Sequence, residues 1–212
     1  MPEDEAVPAS IDPIAWYDPH ASEVVNRYEV PAPEKINDWY RAFLPGQPGF
    51  ILDVGAGSGR DAAWLASLGH EVIAVEPRDQ LRARARELHA GASGITRIDD
   101  RLPGLEKVHR LAVSFDFILL NAVWMHVPPA SRQRASRKLI TLLKPGGRLA
   151  ISFRQPDRDR ARPMLPCHLM SSRNSPGIPR IQMTISSQMP PVLILSERVV
   201  TRMGNNECNI SI

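Results

Sequence analysis

Three closely spaced glycines, directly after an apolar run, constrain this chain more than any other feature of its sequence. Residues 51–59 read Ile-Leu-Asp-Val-Gly-Ala-Gly-Ser-Gly, and residues 60–65, Arg-Asp-Ala-Ala-Trp-Leu, open a predicted helix. Glycine at such a turn permits a positive φ and lets a ligand approach bare backbone. The first turn of the helix directs unpaired N–H groups and the positive end of its dipole at the same place. A strand, a glycine turn and a helix in this order predict a site for a nucleotide cofactor.

The spacing of the glycines distinguishes two kinds of cofactor site. A dinucleotide fingerprint reads G-x-G-x-x-G, whereas here the third glycine comes one position earlier, at Gly59, and Arg60 stands where that pattern has glycine. The G-x-G-x-G form behind Asp53 resembles motif I of the class I S-adenosylmethionine-dependent methyltransferases. That cofactor has no phosphate, but its methionine end has an ammonium, which Asp53 would neutralise, and a carboxylate, which the N–H groups of the turn would bind. A tight turn in another kind of α/β protein is the alternative.

Three further segments carry the same resemblance. Residues 70–76 form an apolar run that ends in Glu76, and an acidic residue about 20 positions after the glycine turn accepts hydrogen bonds from both ribose hydroxyls. Residues 115–121 contain the family's F-D-x-I-x-x strand, and residues 143–149 contain its L-K-P-G-G-x-L turn. The resemblance therefore extends over residues 13–165. For Glu76 alone, an ordinary solvated strand end is the alternative.

The resemblance implies S-adenosyl-L-methionine as the cofactor, and it implies no metal site. The residues that it places against the cofactor are Asp53, Gly55, Ala56, Gly57, Gly59, Arg60, Glu76, Pro77, Asp99, Asp100, Asn121 and Tyr28. Residues 99–103, Asp-Asp-Arg-Leu-Pro, resemble the family segment whose carboxylate accepts a hydrogen bond from the adenine amino group. The sequence leaves open whether Asp99 or Asp100 takes that role.

The family places the groups that face the methyl group at residues 121–127. Ala122 and Val123 replace the prolines of the Asn-Pro-Pro-aromatic motif found in amino-directed DNA methyltransferases, which argues against a nucleobase amine as substrate. His126 occupies the position of a histidine common in the family, and a neutral imidazole can take a proton from an oxygen or nitrogen nucleophile. A structural histidine is the alternative. His126 and Asn121 are the candidate catalytic residues, although alignment of nucleophile and methyl group supplies most of the rate and no base is obligatory.

The N-terminal residues 1–48 are predicted to form a loose polar tail followed by a helical cap, in which apolar residues recur at helical spacing. Similar segments with spaced tyrosines lie over the cofactor in many small-molecule methyltransferases. This likeness makes Tyr17, His20 and Tyr28 candidates for a cofactor lid or substrate pocket. Aromatic packing of the cap on the core is the equal alternative.

Residues 50–153 alternate apolar strands with helical segments, which predicts parallel strands joined by crossovers. The predicted strands are residues 50–54, 71–75, 95–98, 115–120 and 148–153, and the predicted helices are residues 59–68, 79–89 and 130–143. Residues 105–113 lack a clear pattern and are predicted to be a loop. We therefore expect an α/β fold with a doubly wound, mostly parallel, Rossmann-like sheet, whose cofactor-binding core is residues 49–166. Ligands of such sheets bind beyond the carboxyl ends of the strands, where the acidic residues and Asn121 would meet.

The composition disfavours several classes of function. A net charge of +3 with scattered arginines disfavours a nucleic-acid partner. No apolar run is long enough to span a bilayer, and residues 1–5 are acidic, unlike the start of a signal peptide. We expect a single domain, a cytoplasmic protein and a small-molecule substrate, with the oligomeric state left open.

The composition changes sharply after Pro166. Residues 167–212 contain no alanine, aspartate, lysine, phenylalanine, tyrosine or tryptophan, although alanine and aspartate are frequent before them. Back-translation of residues 166–179, read from the third base of each codon, permits a string with a helix start and apolar residues at helical spacing. A shift of reading frame near Cys167 explains the change, and a chance match is the alternative.

A shifted frame would leave the family's C-terminal strands missing or aberrant. The predicted strand at residues 148–153 would then have an exposed edge with unpaired N–H and C=O groups. We expect the tail to pack poorly and to place at most a short strand, at residues 192–195, on that edge. The cofactor residues all precede the break.

These patterns together predict S-adenosylmethionine-dependent methyl transfer to an oxygen or nitrogen nucleophile of a small molecule, impaired if the tail is out of frame. One alternative is a nicotinamide-dependent oxidoreductase, against which Arg60 counts because it replaces the last glycine. Another is a regulatory protein that binds the cofactor without turnover.

Overall fold

A six-stranded sheet forms the centre of the protein in its computed structural model, which describes residues 12, 14–152, 164 and 165 and the backbone of residues 192–195. The strands are β1 Phe50–Val54, β2 Glu71–Val75, β3 Ile95–Ile98, β4 Phe115–Asn121, β5 Leu143–Ser152 and β6 Val192–Leu195. Their order is β3-β2-β1-β4-β5-β6. The first five strands pair in parallel and β6 is antiparallel. The predicted mostly parallel, Rossmann-like sheet is confirmed.

Helices cover both faces of this sheet. The α-helices are α1 Ala21–Glu29, α2 Pro33–Ile36, α3 Asp38–Arg41, α4 Arg60–Ser67, α5 Asp79–Leu88, α6 Glu106–Arg110 and α7 Pro129–Thr141. Two short 3-10 helices lie at Ala15–Tyr17 and Trp124–His126. None of the helices in the described ranges is both long enough and apolar enough to cross a membrane.

The central parts of β1, β2, β4 and β5 are rich in buried apolar residues, because helices pack on both faces of the sheet. Leu52 of β1 packs in the cluster that contains Leu139 of α7. Its neighbour Ile51 packs on the opposite face, in the cluster that contains Leu65 of α4 and Tyr40 of α3. Each fully buried side chain of this kind stabilises the fold by about 1.5–3 kcal/mol. The sheet is therefore a rigid base for the loops at its carboxyl edge.

Two local predictions were wrong. The predicted loop at residues 105–113 contains α6, whose first N–H groups are bound by the side chain of Asp100. β5 begins at Leu143 rather than at residue 148, with a shift of register between Phe115 and Phe117 of its partner strand. The start of α6 depends on an acceptor outside the helix, and the start of β5 depends on pairing with Phe115 of β4, so neither is indicated by the periodicity of its own residues.

The short strand predicted in the tail is present. β6 pairs with β5 so that Leu195 lies opposite Leu149 and Val192 lies opposite Ser152. β6 thus pairs with the edge of β5 that was expected to be exposed. The rest of the tail, including the residues at which a shifted reading frame would begin, lies outside the described residues, and the frameshift stays a prediction.

Candidate active site

The glycine turn between β1 and α4 has a backbone that only glycine adopts readily. Gly55, Gly57 and Gly59 have φ values of +74°, +56° and +83°. A Cβ atom on Gly55 would also lie 2.4 Å from the Cγ2 atom of Val123, which follows β4. Positive φ and close approach together explain why the sequence spaces its glycines in this way.

Most N–H groups of the turn already donate hydrogen bonds within the protein. The acceptors are Val75 O for Gly55 and Ala56, at 2.7 and 2.9 Å, Glu76 Oε2 for Gly57, at 2.9 Å, and Ala56 O for Gly59, at 2.9 Å. Within the described part of the chain, the Ser58 N–H has no acceptor. The N–H groups that remain available to bind a ligand carboxylate are therefore that of Ser58 and those in the first turn of α4, which have no intrahelical acceptor.

Glu76 lies directly after β2 with its carboxylate against the glycine turn. Its Oε2 accepts the Gly57 N–H at 2.9 Å and its Oε1 accepts the Arg78 N–H at 3.0 Å. Burial raises the pKa of Glu76, and these two backbone hydrogen bonds oppose that rise. A carboxylate oxygen has two lone pairs, so each oxygen can still accept a hydrogen bond from a hydroxyl.

Asp53, near the end of β1, is a buried acid whose Oδ2 lacks a donor among the described residues. It is 2% exposed, and its Oδ2 accepts no hydrogen bond from any described residue. Burial raises the pKa of Asp53, the neighbouring Asp61 and Glu76 raise it further, and Arg60 opposes them. Burying an unpaired carboxylate is costly. A ligand ammonium would offset this cost, so this unsatisfied acceptor fits a cofactor with a positively charged amino group.

Asp61, in the first turn of α4, was missed by the sequence analysis. Its Oδ1 accepts Arg60 Nε at 2.8 Å and Asn37 Nδ2 at 3.3 Å, and its Oδ2 accepts Asn121 Nδ2 at 2.8 Å. An acidic residue at this position is usually explained by the helix dipole. The one local signal was its place beside Arg60, because the other two donors come from distant segments.

The side chain of Asn121 uses both ends of its amide within the protein. Its Nδ2 donates to Asp61, and its Oδ1 accepts the Ser152 hydroxyl at 2.6 Å. The Ser152 oxygen in turn accepts the Ala122 N–H at 2.9 Å. Asn121 is thus fixed at the carboxyl end of β4, and its contact with a substrate stays a prediction.

The cap helix α1 lies across the glycine turn. Arg60 Nη1 donates to the carbonyl of Tyr28 at 2.6 Å. The ring of Tyr28 lies 3.5 Å from the position that a Cβ atom on Gly57 would occupy. The structure therefore brings Tyr28, Gly57 and Arg60 together, and their contact with a cofactor stays a prediction.

The other end of the cap contacts the segment after β4. The Tyr17 hydroxyl lies 3.0 Å from His126 Nε2, and the two rings meet edge to face. His20 instead stacks on Trp16, with ring centroids 4.0 Å apart, and its Nδ1 lies 2.8 Å from the Trp16 carbonyl oxygen. Tyr17 and His126 thus form a pair, which His20 does not join.

Arg78 holds the N-terminal end of the cap. Its guanidinium pairs with Asp18 at 2.7 Å and also with Asp12. Burial disfavours the charged form, but hydrogen bonds to these two acids outweigh it and raise the pKa of Arg78. The N-terminal segment is therefore held over the end of β2.

The neighbouring acids Asp99 and Asp100 differ in their partners. The Asp100 carboxylate accepts three backbone N–H groups, including those of Lys107 and Val108 at 2.7 and 3.0 Å, and so caps α6. Asp99 accepts Lys107 Nζ at 2.9 Å, and this hydrogen bond lowers its pKa. Both acids line a groove of about 580 Å³ that Pro77 also borders. Asp100 is engaged in a backbone cap, whereas the Asp99 side chain is 54% exposed.

Comparison with known proteins adds the family context. Residues 52–151 match the family described as methyltransferase domain. The protein-L-isoaspartate O-methyltransferase of Anaeromyxobacter dehalogenans is 31% identical over 149 residues, which cover 70% of this chain and 65% of that enzyme. The ubiquinone biosynthesis O-methyltransferase of Xanthomonas axonopodis pv. citri is 36% identical over 103 residues, covering 48% of this chain and 41% of that enzyme. The chain thus spans less than two thirds of the length of either relative.

Solved structures agree on the fold. The plantazolicin methyltransferase BamL, in complex with a triazolic desmethylPZN analog and SAH, superposes with a TM-score of 0.55 and 16% identity over 69% of this chain and 57% of that chain. This likeness concerns the Rossmann-like architecture alone.

Proposed function

Because this chain belongs to the class I S-adenosylmethionine-dependent methyltransferase family, we propose that it transfers a methyl group from S-adenosyl-L-methionine to an oxygen or nitrogen nucleophile of a small molecule. One observation carries the proposal. The buried Oδ2 of Asp53 accepts no hydrogen bond from a described residue, and it lies at the edge of the sheet where Glu76 follows β2. A ligand cation would offset the cost of burying the charged form of this acid.

Residues at the carboxyl edge of the sheet would each bind a different part of the cofactor. Asp53 would accept the ammonium, Ser58 N–H and the start of α4 would bind the carboxylate, and Glu76 would accept the ribose hydroxyls. Asp99 is the better candidate for the adenine amino group, because Asp100 already caps α6. When bound, the cofactor supplies an electrophilic methyl group on a sulfonium.

The acceptor end of the site would contain the pair of Tyr17 and His126. The hydrogen bond of 3.0 Å between them fixes the orientation of the imidazole. An oriented neutral imidazole can take the proton of a hydroxyl or amine as it attacks. This role suits an acceptor that loses a proton, and holding that acceptor in line with the methyl group would supply most of the rate.

A small acceptor is favoured by the position of the cap. Tyr28 lies over the glycine turn and Tyr17 contacts the segment after β4, so the cap crosses the edge at which the cofactor would bind. A cap of this kind limits the room for a folded macromolecule. The named relatives include one enzyme for a protein residue and one for ubiquinone biosynthesis, so a peptide acceptor belongs in the test.

Calorimetry and a methyl-transfer assay test the proposal. We expect the protein to bind S-adenosylhomocysteine and not NAD. With cofactor labelled at its methyl group, label should pass to small phenols, alcohols or amines, and the Tyr17→Phe and His126→Gln variants should transfer more slowly. Binding of NAD alone, or transfer only to an isoaspartyl peptide, would contradict the proposal.

A further inference from the structure

Asp61 is the point at which the separate elements of the candidate site meet. Its three side-chain donors come from the α2–α3 junction, from the start of α4 and from the end of β4. The Asp61 side chain is only 10% exposed. A buried carboxylate whose oxygens accept several hydrogen bonds is held in one orientation, and it holds its donors in turn.

We propose that Asp61 is the positioning residue of this site: through Arg60 it holds the cap helix against the glycine turn, and through Asn121 it holds the carboxyl end of β4. The assignment of the site to a cofactor rests on the proposed function, but the positioning itself concerns residues of the chain alone.

The first connection runs from Asp61 to the cap. Arg60 places Nε and Nη2 on Asp61 Oδ1, both at 2.8 Å, which orients its guanidinium plane. The remaining Nη1 then donates to the Tyr28 carbonyl at 2.6 Å. This carbonyl belongs to the last turn of α1, where carbonyl groups lack intrahelical partners. Without Asp61 the guanidinium would lose the partner that aims it, and the end of α1 would lose its fixed donor.

The second connection runs from Asp61 to β4, and its direction is determined. The Asp61 carboxylate can only accept hydrogen bonds, so the amide nitrogen of Asn121 faces it and donates at 2.8 Å. The Asn121 Oδ1 then accepts the Ser152 hydroxyl, whose oxygen accepts the Ala122 N–H. Asp61 thus supplies the acceptor for the Asn121 amide. An asparagine at position 61 would either direct its own NH₂ group at the NH₂ group of Asn121 or have to rotate its amide away from its other donors.

The charge of Asp61 also acts on the acid that would receive the ammonium. Asp53 is surrounded by Asp61 and Glu76, which raise its pKa, and by Arg60, which lowers it, with burial the largest effect. Tyr40, which is buried beside both aspartates, is neutral because burial raises its pKa. Removal of the negative charge at residue 61 should thus lower the pKa of Asp53, an effect that a purely steric role would not produce.

The test compares Asp61→Asn with Asp116→Asn in the protein without cofactor. Asp116 is the control because its carboxylate also accepts hydrogen bonds from more than one segment, here from the Phe50 N–H and from Lys144 Nζ, but at the opposite edge of the sheet. In Asp61→Asn we expect the amides of residues 25–29 to exchange hydrogen at least about tenfold faster, and the Asp53 carboxyl signal to titrate at lower pH. Asp116→Asn should change neither. Unchanged exchange in α1, or an equal increase in both variants, would overturn the proposal.

Calorimetry with S-adenosylhomocysteine completes the comparison. We expect Asp61→Asn to weaken binding at least about tenfold while Asp116→Asn binds like the wild type. If the wild type binds and Asp61→Asn binds equally well, the positioning role is wrong. If the wild type does not bind, the proposed function fails, and the hydrogen exchange alone decides the role of Asp61.

Discussion

Two aspartates at opposite edges of the same pair of strands show how the structural and functional ends of this sheet differ. At the amino edge, the Asp116 carboxylate of β4 accepts the Phe50 N–H and Lys144 Nζ, both at 2.8 Å. Burial alone would raise the pKa of Asp116, but these partners bring it below its ordinary range. At the carboxyl edge, burial raises the pKa of Asp53 and its Oδ2 has no donor among the described residues.

The comparison shows a paired acid at the amino edge of the sheet and an unsatisfied acid at its carboxyl edge. Asp116 contributes to folding, since its charge is paired. Asp53 is costly to the fold without a ligand, because an unpaired buried acid loses its hydration without compensation. A protein can keep such a costly buried acid where a bound ligand offsets the cost. Acids with strongly shifted pKa values therefore cluster at functional sites.

The largest effect should come from the glycine turn. Gly57→Val forces a β-branched residue into a left-handed backbone and toward the ring of Tyr28, so we expect S-adenosylhomocysteine binding to be lost. Gly146→Val is the matched control at the amino edge, with a φ of +78° and open space around its Cβ position. Both variants should lose roughly 1–2 kcal/mol of stability, and only Gly57→Val should lose the cofactor in calorimetry. Equal affinity in the two variants would show that the turn has no part in binding.

Exchanging each aspartate for its amide should separate binding from stability. Asp53→Asn removes the negative charge that would meet the ammonium, which costs about 1.5–3 kcal/mol of binding and corresponds to an affinity about 10–150-fold lower. At neutral pH the same variant should unfold at a higher temperature than the wild type, because the costly buried charge is absent.

Asp116→Asn should behave in the opposite way. We expect its affinity for S-adenosylhomocysteine to be unchanged and its stability to fall by about 1–3 kcal/mol, since a carboxylate with two donors is removed. Denaturant unfolding and calorimetry on the three proteins provide both quantities. A loss of stability in Asp53→Asn at neutral pH would contradict the contrast between the edges.

The contributions of Asp53 and Asp116 to folding stability should also change with pH in opposite directions. The pKa of Asp53 is raised in the folded protein, so its contribution to stability is present below its ordinary value of 3.8 and is lost as the pH rises through the folded value. The pKa of Asp116 is lowered, so its contribution is present above 3.8 and is lost as the pH falls through the folded value. Each pKa unit corresponds to about 1.4 kcal/mol.

Unfolding free energies measured against pH check these signs. The advantage of Asp53→Asn over the wild type should grow as the pH rises from 3.8, and the deficit of Asp116→Asn should shrink as the pH falls below 3.8. Parallel curves for the two variants would mean that the edges do not differ in this respect.

The smallest effect should distinguish the neighbouring acids after β3. Asp99→Ala removes a candidate acceptor for the adenine amino group, and we expect affinity to fall about 2–10-fold. Asp100→Ala removes the cap of α6 and should cost about 0.5–2 kcal/mol of stability without a change in affinity. If only Asp100→Ala weakens cofactor binding in calorimetry, the assignment of the two acids is reversed.

The sequence predicted the parts of the fold that depend on local patterns. β1, β2 and β3 have their predicted bounds, because apolar runs between turn signals determine buried strands. α6 was missed since it has only five residues and its cap comes from Asp100, six positions upstream of its first residue. A local pattern cannot indicate a helix that depends on such a partner.

The candidate site likewise contains residues that a local motif indicates and residues that only distant contacts bring in. The glycines and Glu76 form a motif, so the sequence placed them together. Asp61 was missed because two of its donors, Asn37 and Asn121, are 24 and 60 positions away. The hydrogen bond between Tyr17 and His126 joins residues 109 positions apart, so the sequence offered each residue as a candidate but could not pair them.

Proton release on cofactor binding tests most directly whether the acid at the carboxyl edge is held for a cation. S-adenosylhomocysteine binding should be measured by calorimetry in buffers of different ionisation enthalpy, across the pH range in which Asp53 titrates. We expect the wild type to release protons on binding, because the bound ammonium lowers the pKa of Asp53, and Asp53→Asn to bind more weakly without that release. Binding with no linked protons in the wild type, or identical binding by Asp53→Asn, would show that Asp53 does not receive the cofactor ammonium.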